Sequence, residues 1–383
     1  MSTPGTFLTS DIIAKEAIAS LQANLVMANL VNRQYDSEFG NVGAIVQVKK
    51  PPTFTATTFT SSTSPETIVE GSVNVTLDTI FDVSVEVTAK ELSLNIQDFG
   101  QTVVNPAMAA LAQKIDSSLC GLYIDVPYFA GAYNATPDAL TDPADCMKYL
   151  NKNRVPFADR NLVLNPQAHA GLIVLDNIVA VDNSGSPAAL RNASMGRILG
   201  LESYIDQNLV THQRGTFVEA SGTLLTTVSA AATTMTITNA SCSGTLLKGD
   251  LIRITMTNGT VYDHVVTANA TSGSNNITVS IYPAIAENIT AGVVTIQGAV
   301  LAGATRYANS LAFHKDAFCL VTKPLAPAIG GADSSTLSWN GLSIRVTKGY
   351  TMSSKINSIS FDILCGFKTL SPERAVRLIG NIG

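Results

Sequence analysis

The residues of this chain that could carry chemistry are few and far apart. A metal site needs two or three histidines at close spacing with carboxylates nearby, and the four histidines here are scattered: His169, His212, His264 and His314. No GxSxG, P-loop, GxGxxG or HExxH pattern occurs. We therefore predict that the protein is not an enzyme and holds no metal or cofactor, and that its histidines are surface or half-buried structural residues.

The cysteines also lack a pattern that chemistry would use. They are five in number and widely spaced, without a CxxC pair: Cys120, Cys146, Cys242, Cys319 and Cys365. This distribution argues against a zinc site or a redox pair. It predicts free thiols that are buried in the folded protein.

Acidic residues cluster near the end of one predicted strand. Asp78 and Asp82 are four apart and share a side of that strand, but paired acids alone do not make a catalyst. Glu86 and Glu91 flank Lys90, which we interpret as a solvated charge cluster.

Composition points to a protein whose surface is covered by other subunits. Apolar residues make up 46% of the 383 residues and charged residues only 14%, against roughly 25% in an ordinary soluble domain. A secreted, Thr/Ser-rich adhesin-like protein is the alternative. The net charge of −5 and the lack of a basic tract argue against tight nucleic-acid binding through phosphates. Neither a signal-peptide pattern nor a membrane-spanning run occurs, so we expect folding in the cytosol of the producing cell.

The first part of the chain predicts a helix followed by a long hairpin. Residues 10–33 show helical spacing after a capping Ser10 or Asp11. This helix either packs on its own domain or forms an arm that reaches a neighbour. Strand-like runs within 43–90 flank the tract KKPPTFTATTFTSSTSP, residues 49–65. Because an isolated hairpin is marginally stable in water, this one needs a surface to lie on.

The rest of the chain predicts an α/β region interrupted by an all-β one. Asn105 and Pro106 begin a long helix that we extend to residue 126. Helices alternate with short strands over 137–215, and strands resume after 300. Residues 216–299 consist of short alternating strands with Gly/Asn/Ser turns, typical of a small barrel inserted into the α/β domain. Trp339 precedes a predicted turn at Asn340-Gly341, and we interpret it as a packing anchor.

Two stretches and the element order resemble a known family. MGRILGL at 195–201, with Tyr204 and QNL at 207–209, resembles a turn and strand of tailed-bacteriophage major capsid proteins of the Hong Kong 97-like fold. The tail DILCGFKTLSPERAVRL, at 362–378, resembles that family's closing strands. LLKGDLIRI, at 246–254, resembles the inserted β-domain of the Salmonella-type short-tailed phage coat proteins, although this chain is shorter there.

The resemblance implies an α+β fold with the following division of the chain: an N-terminal arm and helix over 1–42, an E-loop hairpin with P-domain strands over 43–90, a P-domain with the spine helix over 91–130, an A-domain over 131–215 and 300–349, the inserted β-domain over 216–299, and C-terminal P-domain strands over 350–383. We expect the inserted barrel to nucleate folding or to brace neighbouring subunits.

The implied function is a capsid subunit, located in the virion and assembled in the host cytoplasm. Its expected partners are its own copies in hexamers and pentamers, a separate scaffolding protein, a portal protein at one vertex, enclosed double-stranded DNA without sequence-specific binding, and optionally a decoration protein; no membrane is expected. The alternatives are an encapsulin-like compartment shell and a secreted or tail-associated β-rich protein.

Two sets of residues are candidates for contacts between proteins. A Lys on the arm could form an isopeptide bond with a neighbour's Asn, but residues 51–89 contain no Lys, so we favour non-covalent clamping. The residues assigned to contacts with a neighbouring subunit are Lys49, Lys50, Phe54, Phe59, Glu66 and Glu70. Charge complementarity makes Asp11 and Glu16 candidates for docking a basic segment of the scaffold.

Overall fold

A computed structural model describes most of the chain. It covers residues 10–33, 45–50, 58, 71–88, 100–185, 187–217, 224–225, 228–238, 243–256, 259–273, 275–289, 292–296, 306–328, 333–353 and 356–382. The chain divides into two compact units, which we describe separately. The first comprises Met1–Leu25, Asn32–Ile115 and Phe318–Leu370, and the second Val26–Val31, Asp116–Ala317 and Ser371–Gly383.

Helices are concentrated in the first half of the chain. They are α1 (Ser10–Asn24), α2 (Met27–Leu30), α3 (Asn105–Cys120), α4 (Thr141–Lys152), α5 (Pro166–Ile173), α6 (Asp176–Val179), α7 (Val181–Ser184) and α8 (Ala188–Asn192). A π-helical turn, Gly100–Val104, precedes α3, and 3-10 turns occupy Gly121–Asp125, Lys315–Ala317 and Pro372–Arg374.

Strands occur throughout. They are β1 (Ile45–Lys50), β2 (Gly71–Thr76), β3 (Thr79–Thr88), β4 (Phe129–Gly131), β5 (Arg160–Leu164), β6 (Arg197–Ile198), β7 (Leu201–Ile205), β8 (Thr211–Gln213), β9 (Leu224–Leu225), β10 (Thr234–Thr238), β11 (Thr245–Leu246), β12 (Leu251–Met256), β13 (Val261–Val266), β14 (Ala270–Thr271), β15 (Asn276–Tyr282), β16 (Gly292–Ile296), β17 (Arg306–His314), β18 (Phe318–Lys323), β19 (Asp333–Trp339), β20 (Leu342–Thr351), β21 (Ile356–Thr369) and β22 (Ala375–Gly380). The predicted α+β class is confirmed.

The first unit is organised around β21. This strand pairs antiparallel with β20 and β18 along one edge and with β3 along the other, and β19 pairs with β20. The run that we predicted as one long returning hairpin strand is divided at Leu77 and Asp78, where pairing changes. Before this break, β2 pairs only with β1, and after it β3 joins the sheet of β21.

Helix α1 packs against its own unit. Its apolar face is buried on β19 and β20, and its buried residues include Ile13, Ala14, Ala17, Ile18 and Leu21. Of the two alternatives for residues 10–33, the structure therefore shows packing on the same domain. The predicted single helix is also interrupted, since α1 ends at Asn24 and α2 begins at Met27.

Helix α3 begins where the sequence predicts, at Asn105. Its apolar face is fully buried, as the spacing indicated, with Met108, Leu111 and Ile115 at most 1% exposed. The α-helix is shorter than expected, because it ends at Cys120 and continues as a 3-10 turn.

The second unit contains a mixed sheet and a barrel. The sheet has the order β4-β22-β17-β5-β7-β6, with β8 also paired to β17. Pairing is parallel between β4 and β22 and between β5 and β7. Strand β5 is buried along its whole length, and α4 and α5 pack over it in a core that includes Cys146, Leu150, Leu162, Leu164 and Leu172.

Six short strands close into a barrel with the order β10-β15-β13-β12-β16-β9. The strands that lead into and out of it, β8 and β17, are hydrogen-bonded to each other, so the barrel leaves and rejoins the sheet at one place. Alternate residues point inward and form its core, among them Met235, Ile237, Ile252, Ile277 and Val279. Closure leaves no unpaired strand edge in these six strands.

Four interpretations of single residues are wrong. Trp339 is 66% exposed at the β19–β20 turn and anchors no packing, although the predicted turn exists, with Asn340 and Gly341 at φ of 48° and 75°. His212, His264 and His314 are 3%, 2% and 6% exposed, which makes them core residues. The predicted burial of free cysteines is confirmed at four positions, while Cys242 lies outside the described residues.

Candidate assembly surfaces and the barrel seat

The predicted arm begins on a two-stranded ribbon. Lys49 and Lys50 lie at the end of β1, in register with Ser72 and Gly71 of β2. Residues 51–70 therefore leave and rejoin the body at adjacent points. The other residues assigned to a neighbour contact lie outside the described residues: Phe54, Phe59, Glu66 and Glu70.

One face of this ribbon is packed on the first unit. Val46, Val48 and Val75 are buried in a cluster with Cys319 and Val321. The residues that alternate with them, such as Gln47 and Asn74, are exposed. The ribbon is held on one side by apolar contacts and remains open to solvent on the other.

The two candidate scaffold contacts lie on the exposed side of α1. Asp11 forms an ion pair with Lys15 at 3.1 Å and accepts a hydrogen bond from Ser335 Oγ at 3.4 Å. Glu16 lies against the π-helical turn, where a side chain in place of Gly100 would collide with its carboxylate. Both residues are exposed, and Asp11 also has partners in its own unit.

Charged residues of the barrel segment are concentrated where the barrel joins the rest of the second unit, which we call the barrel seat. Residues 216–299 contain few charged side chains, namely Glu219, Lys248, Asp250, Arg253, Asp263 and Glu287. Lys248 forms an ion pair with Asp125 at 3.3 Å, just after α3. Asp250, Arg253 and Asp263 also contact residues outside the barrel.

A buried line of hydrogen bonds crosses the seat. His212 Nε2 lies 2.8 Å from Asp250 Oδ1, and its Nδ1 lies 2.9 Å from the Tyr123 hydroxyl. Asp250 Oδ2 accepts from the backbone N–H groups of Leu247 at 2.7 Å and Gly215 at 3.2 Å. A hydroxyl, an imidazole and a carboxylate in this order can activate a nucleophile. Here all three are buried, and burial raises the pKa of Tyr123, so the line is structural.

An ion pair forms the second part of the seat. Arg253 donates to both oxygens of Asp263, at 2.7 and 3.1 Å, and its guanidinium lies 4.1 Å from the centre of the Phe129 ring. The Tyr149 hydroxyl of α4 donates to Asp263 Oδ2 at 2.7 Å. Burial raises the pKa of Tyr149, which keeps this hydroxyl protonated as a donor. Bidentate geometry and partial burial make this contact stronger than a surface ion pair.

The SPER stretch of the tail forms the third part. The Tyr282 hydroxyl of β15 donates to Glu373 Oε1. Asn153 Nδ2, just after α4, donates to the Glu373 carbonyl at 2.8 Å. Arg374 forms an ion pair with Asp316 at 3.1 Å. The turn therefore connects the barrel, α4 and the 3-10 turn Lys315–Ala317.

Arg377 is the central residue of the seat. It is fully buried, and its guanidinium donates to the carbonyl oxygens of Val126 and Gly249 at 2.8 Å each and of Ile124 at 3.4 Å. The guanidinium also lies 5.2 Å from the centre of the Tyr123 ring. Desolvation lowers the pKa of Arg377, and these carbonyls provide the hydrogen bonds that water would otherwise make. The sequence analysis missed this residue, because an Arg in a tail strand gives no signal of burial.

Comparison with known proteins identifies the fold. No protein-family model and no curated protein matches the chain. A solved structure from Mycobacterium phage Che8 matches with a TM-score of 0.52 at 17% identity, over 92% of this chain and 90% of that one. The chain has the fold of a tailed-phage major capsid protein.

Two further structures match this capsid-protein fold with lower scores. The capsid of cyanophage P-SCSP1u matches with a TM-score of 0.46 at 11% identity, over 88% of this chain and 84% of that chain. A virus-like particle from Pyrococcus furiosus matches with a TM-score of 0.41 at 9% identity, over 96% and 98%.

The capsid-protein fold of this chain exposes large apolar side chains on its second unit. Phe157, Val174 and Leu190 are each 70% exposed, and Leu199 is 41% exposed. Leu199 also lines a cavity of about 400 Å³ together with Ile178 and Met195. Contiguous exposed apolar surface is typical of surfaces that contact another protein, and the lining of this cavity is the candidate for such a surface.

Metal-ligand clusters and membrane-spanning helices are absent from the described part of the chain. No group of His, Cys, Asp and Glu there is arranged to hold a metal ion. The described helices include none that is long and apolar enough to span a membrane. Burial raises the pKa of the Cys120 and Cys146 thiols, and that of Cys365 to about 12, so these thiols are protonated and unreactive at neutral pH.

Proposed function

We propose that this chain is the major capsid protein of a tailed phage, and that it assembles as pentamers and hexamers into an icosahedral shell around packaged double-stranded DNA. The observation that carries the proposal is the fold shared with the structure from phage Che8 over most of both chains. A shell repeats the same contacts many times, and each subunit must therefore cover much of its surface. The low charge and the exposed apolar side chains suit that requirement.

The arm is the part that we assign to clamping a neighbour. The β1–β2 ribbon holds both ends of residues 51–70 at one point on the body, so the arm adds contact area without enlarging the body. Because α1 packs on its own unit, an N-terminal clamp is confined to the residues that precede Ser10. The contacts would be non-covalent, since residues 51–89 contain no Lys.

The remaining partners follow from the same proposal. A net charge of −5 suits a wall that encloses DNA without binding its sequence. We assign the docking of a separate scaffolding protein to Asp11 and Glu16, which are exposed on α1. A portal protein at one vertex, and optionally a decoration protein, complete the assembly in the host cytoplasm.

Electron microscopy of the purified protein, alone and with its scaffolding protein, tests the proposal. We expect closed icosahedral particles from the purified protein, and particles isolated from the producing cell should contain DNA. Particles filled with a cargo enzyme would indicate an encapsulin-like compartment instead. A monomer that never assembles, or a fibrous trimer, would overturn the proposal. Scaffold-dependent assembly that survives Asp11→Lys together with Glu16→Lys would rule out the assigned scaffold contact.

A further inference from the structure

A buried carboxylate binds a short segment that is distant in sequence. Asp116, on α3, is fully buried, and its two oxygens accept hydrogen bonds from the backbone N–H groups of Val26 at 2.7 Å and Ala28 at 3.0 Å. These groups lie at the start of α2, where no side chain of the helix itself provides a cap. The first N–H groups of a helix have no partner within the helix. Asp116 therefore acts as the cap of α2 from another helix.

The segment that Asp116 binds is anchored at both ends. Leu25 N–H donates to the carbonyl of Leu21 at 3.2 Å, which continues α1. Asn32 exchanges two backbone hydrogen bonds of 3.1 Å with Phe318 and Leu320. Residues 26–31 belong to the second unit, whereas the residues on either side belong to the first. A change at Asp116 therefore acts on a short connection whose two ends are fixed.

A second buried carboxylate acts on Asp116. Asp206, just after β7, is 2% exposed and accepts hydrogen bonds from Asn208 N–H at 2.8 Å and from Cys120 Sγ at 3.8 Å. The titratable groups that interact with Asp116 are Asp206 and Cys120, which lies one turn along α3. Two buried carboxylates repel each other when both are ionised.

Burial and then the charge of Asp206 raise the pKa of Asp116 from 3.8 to about 6, although the backbone N–H groups lower it. When the segment is released and water reaches the carboxyl group, the pKa returns towards the ordinary value. Asp116 therefore binds its proton more tightly when residues 26–31 are bound to it than when they are released. The contact of residues 26–31 with Asp116 is most stable in mild acid. It weakens as the pH rises through about 6 and levels off above about 7.

We infer that residues 26–31 and Asp116 form a latch that takes up a proton on closing. At neutral pH the latch closes over an ionised carboxylate that Asp206 repels, and in mild acid it closes over a neutral carboxyl group. The latch is a property of the folded subunit and does not depend on shell assembly. It gives residues 26–31 a stability that varies with pH between about 4 and 7.

Hydrogen–deuterium exchange of the full-length protein tests the latch. After correction for the intrinsic pH dependence of exchange, we expect protection of a peptide covering 26–31 to fall about tenfold from pH 5 to pH 7 and to level off above pH 7. A peptide from β12, in the barrel, provides the reference and should show no such change. Protection of 26–31 that stays constant from pH 5 to pH 8 would overturn the inference.

Two variants locate the proton. In Asp116→Asn the hydrogen-exchange protection of the 26–31 peptide should no longer depend on pH, whether the protection itself is higher or lower than in the wild type. In Asp206→Asn the Asp116 pKa should fall, so protection at pH 7 should rise and the pH dependence should shrink. Wild-type behaviour in both variants would place the proton elsewhere and contradict the latch. If Asp116→Asn does not fold, the wild-type series and Asp206→Asn decide the question.

Discussion

The β1–β2 ribbon and the barrel are both small β-structures, but the ribbon is an open two-stranded sheet and the barrel is a closed one. The ribbon has two strands, one packed face and an exposed face. The barrel has six strands closed on themselves around an apolar core. Closure leaves no free strand edge among the six strands of the barrel, whereas two strands alone are marginally stable in water. The comparison indicates that the barrel completes its own sheet and that the ribbon relies on surfaces outside itself.

Charge follows the same division. Lys248, Asp250, Arg253 and Asp263 of the barrel lie at its seat. The outward-facing residues of β10 and β15 are mainly Thr, Ser and Asn. The ribbon instead has Lys49 and Lys50 at the end from which the arm departs. The barrel is thus bound firmly to its own chain by polar contacts.

Deleting residues 53–64 should have the largest effect on assembly. We expect the variant to fold with an unchanged thermal unfolding midpoint, because the ribbon below the deletion keeps its apolar contacts. It should form few or no shells, since the clamp on the neighbour is lost. Electron microscopy and calorimetry measure the two outcomes.

An equal-length Gly/Ser replacement of 53–64 separates the role of the arm's sequence from that of its length. Glycine and serine remove the β-propensity of the Thr/Phe pattern, so this variant should also assemble poorly. Shells of normal yield and stability from the deletion would refute the clamp and remove the contrast between the ribbon and the barrel.

Arg377→Met should have the largest effect on the barrel seat. The carbonyls of Val126 and Gly249 would lose their donor while remaining buried, and we expect the free energy of unfolding to fall by about 3–5 kcal/mol. Chemical denaturation measures this change. Arg191→Met, on the exposed end of α8, is the matched control and should stay within about 0.5 kcal/mol of the wild type. Equal losses in the two variants would show that Arg377 has no special role.

Elements with a local signal could be predicted from the sequence. The start of a helix at Asn105, the turn at Asn340-Gly341 and the alternation within 216–299 depend on residues close in sequence, and the structure has a helix, a turn and a barrel there. The α+β class could be predicted from the resemblance to the capsid-protein family. The domain bounds and the residues assigned to neighbour contacts remain predictions.

Features that depend on tertiary contacts could not be predicted. Arg377 and His212 are buried because their strands, β22 and β8, pair with β17 and because the barrel covers both side chains. Neither contact has a local signal in the sequence. The break between β2 and β3 depends on a change of partner strand, which the continuous alternation of the sequence conceals. Trp339 is exposed despite its size, because the turn that carries it lies at the end of the sheet.

The smallest expected effect distinguishes the seat from the outer surface of the barrel. Tyr149→Phe removes one donor to Asp263, whose bonds to Arg253 remain, so we expect a loss of about 1 kcal/mol in the free energy of unfolding. Tyr262→Phe is the matched control, because it removes a hydroxyl that donates to Glu287 at 2.7 Å on the exposed side of the barrel. That variant should stay within about 0.5 kcal/mol of the wild type. A larger loss for Tyr262→Phe than for Tyr149→Phe would mean that the barrel depends on its outer surface more than on its seat.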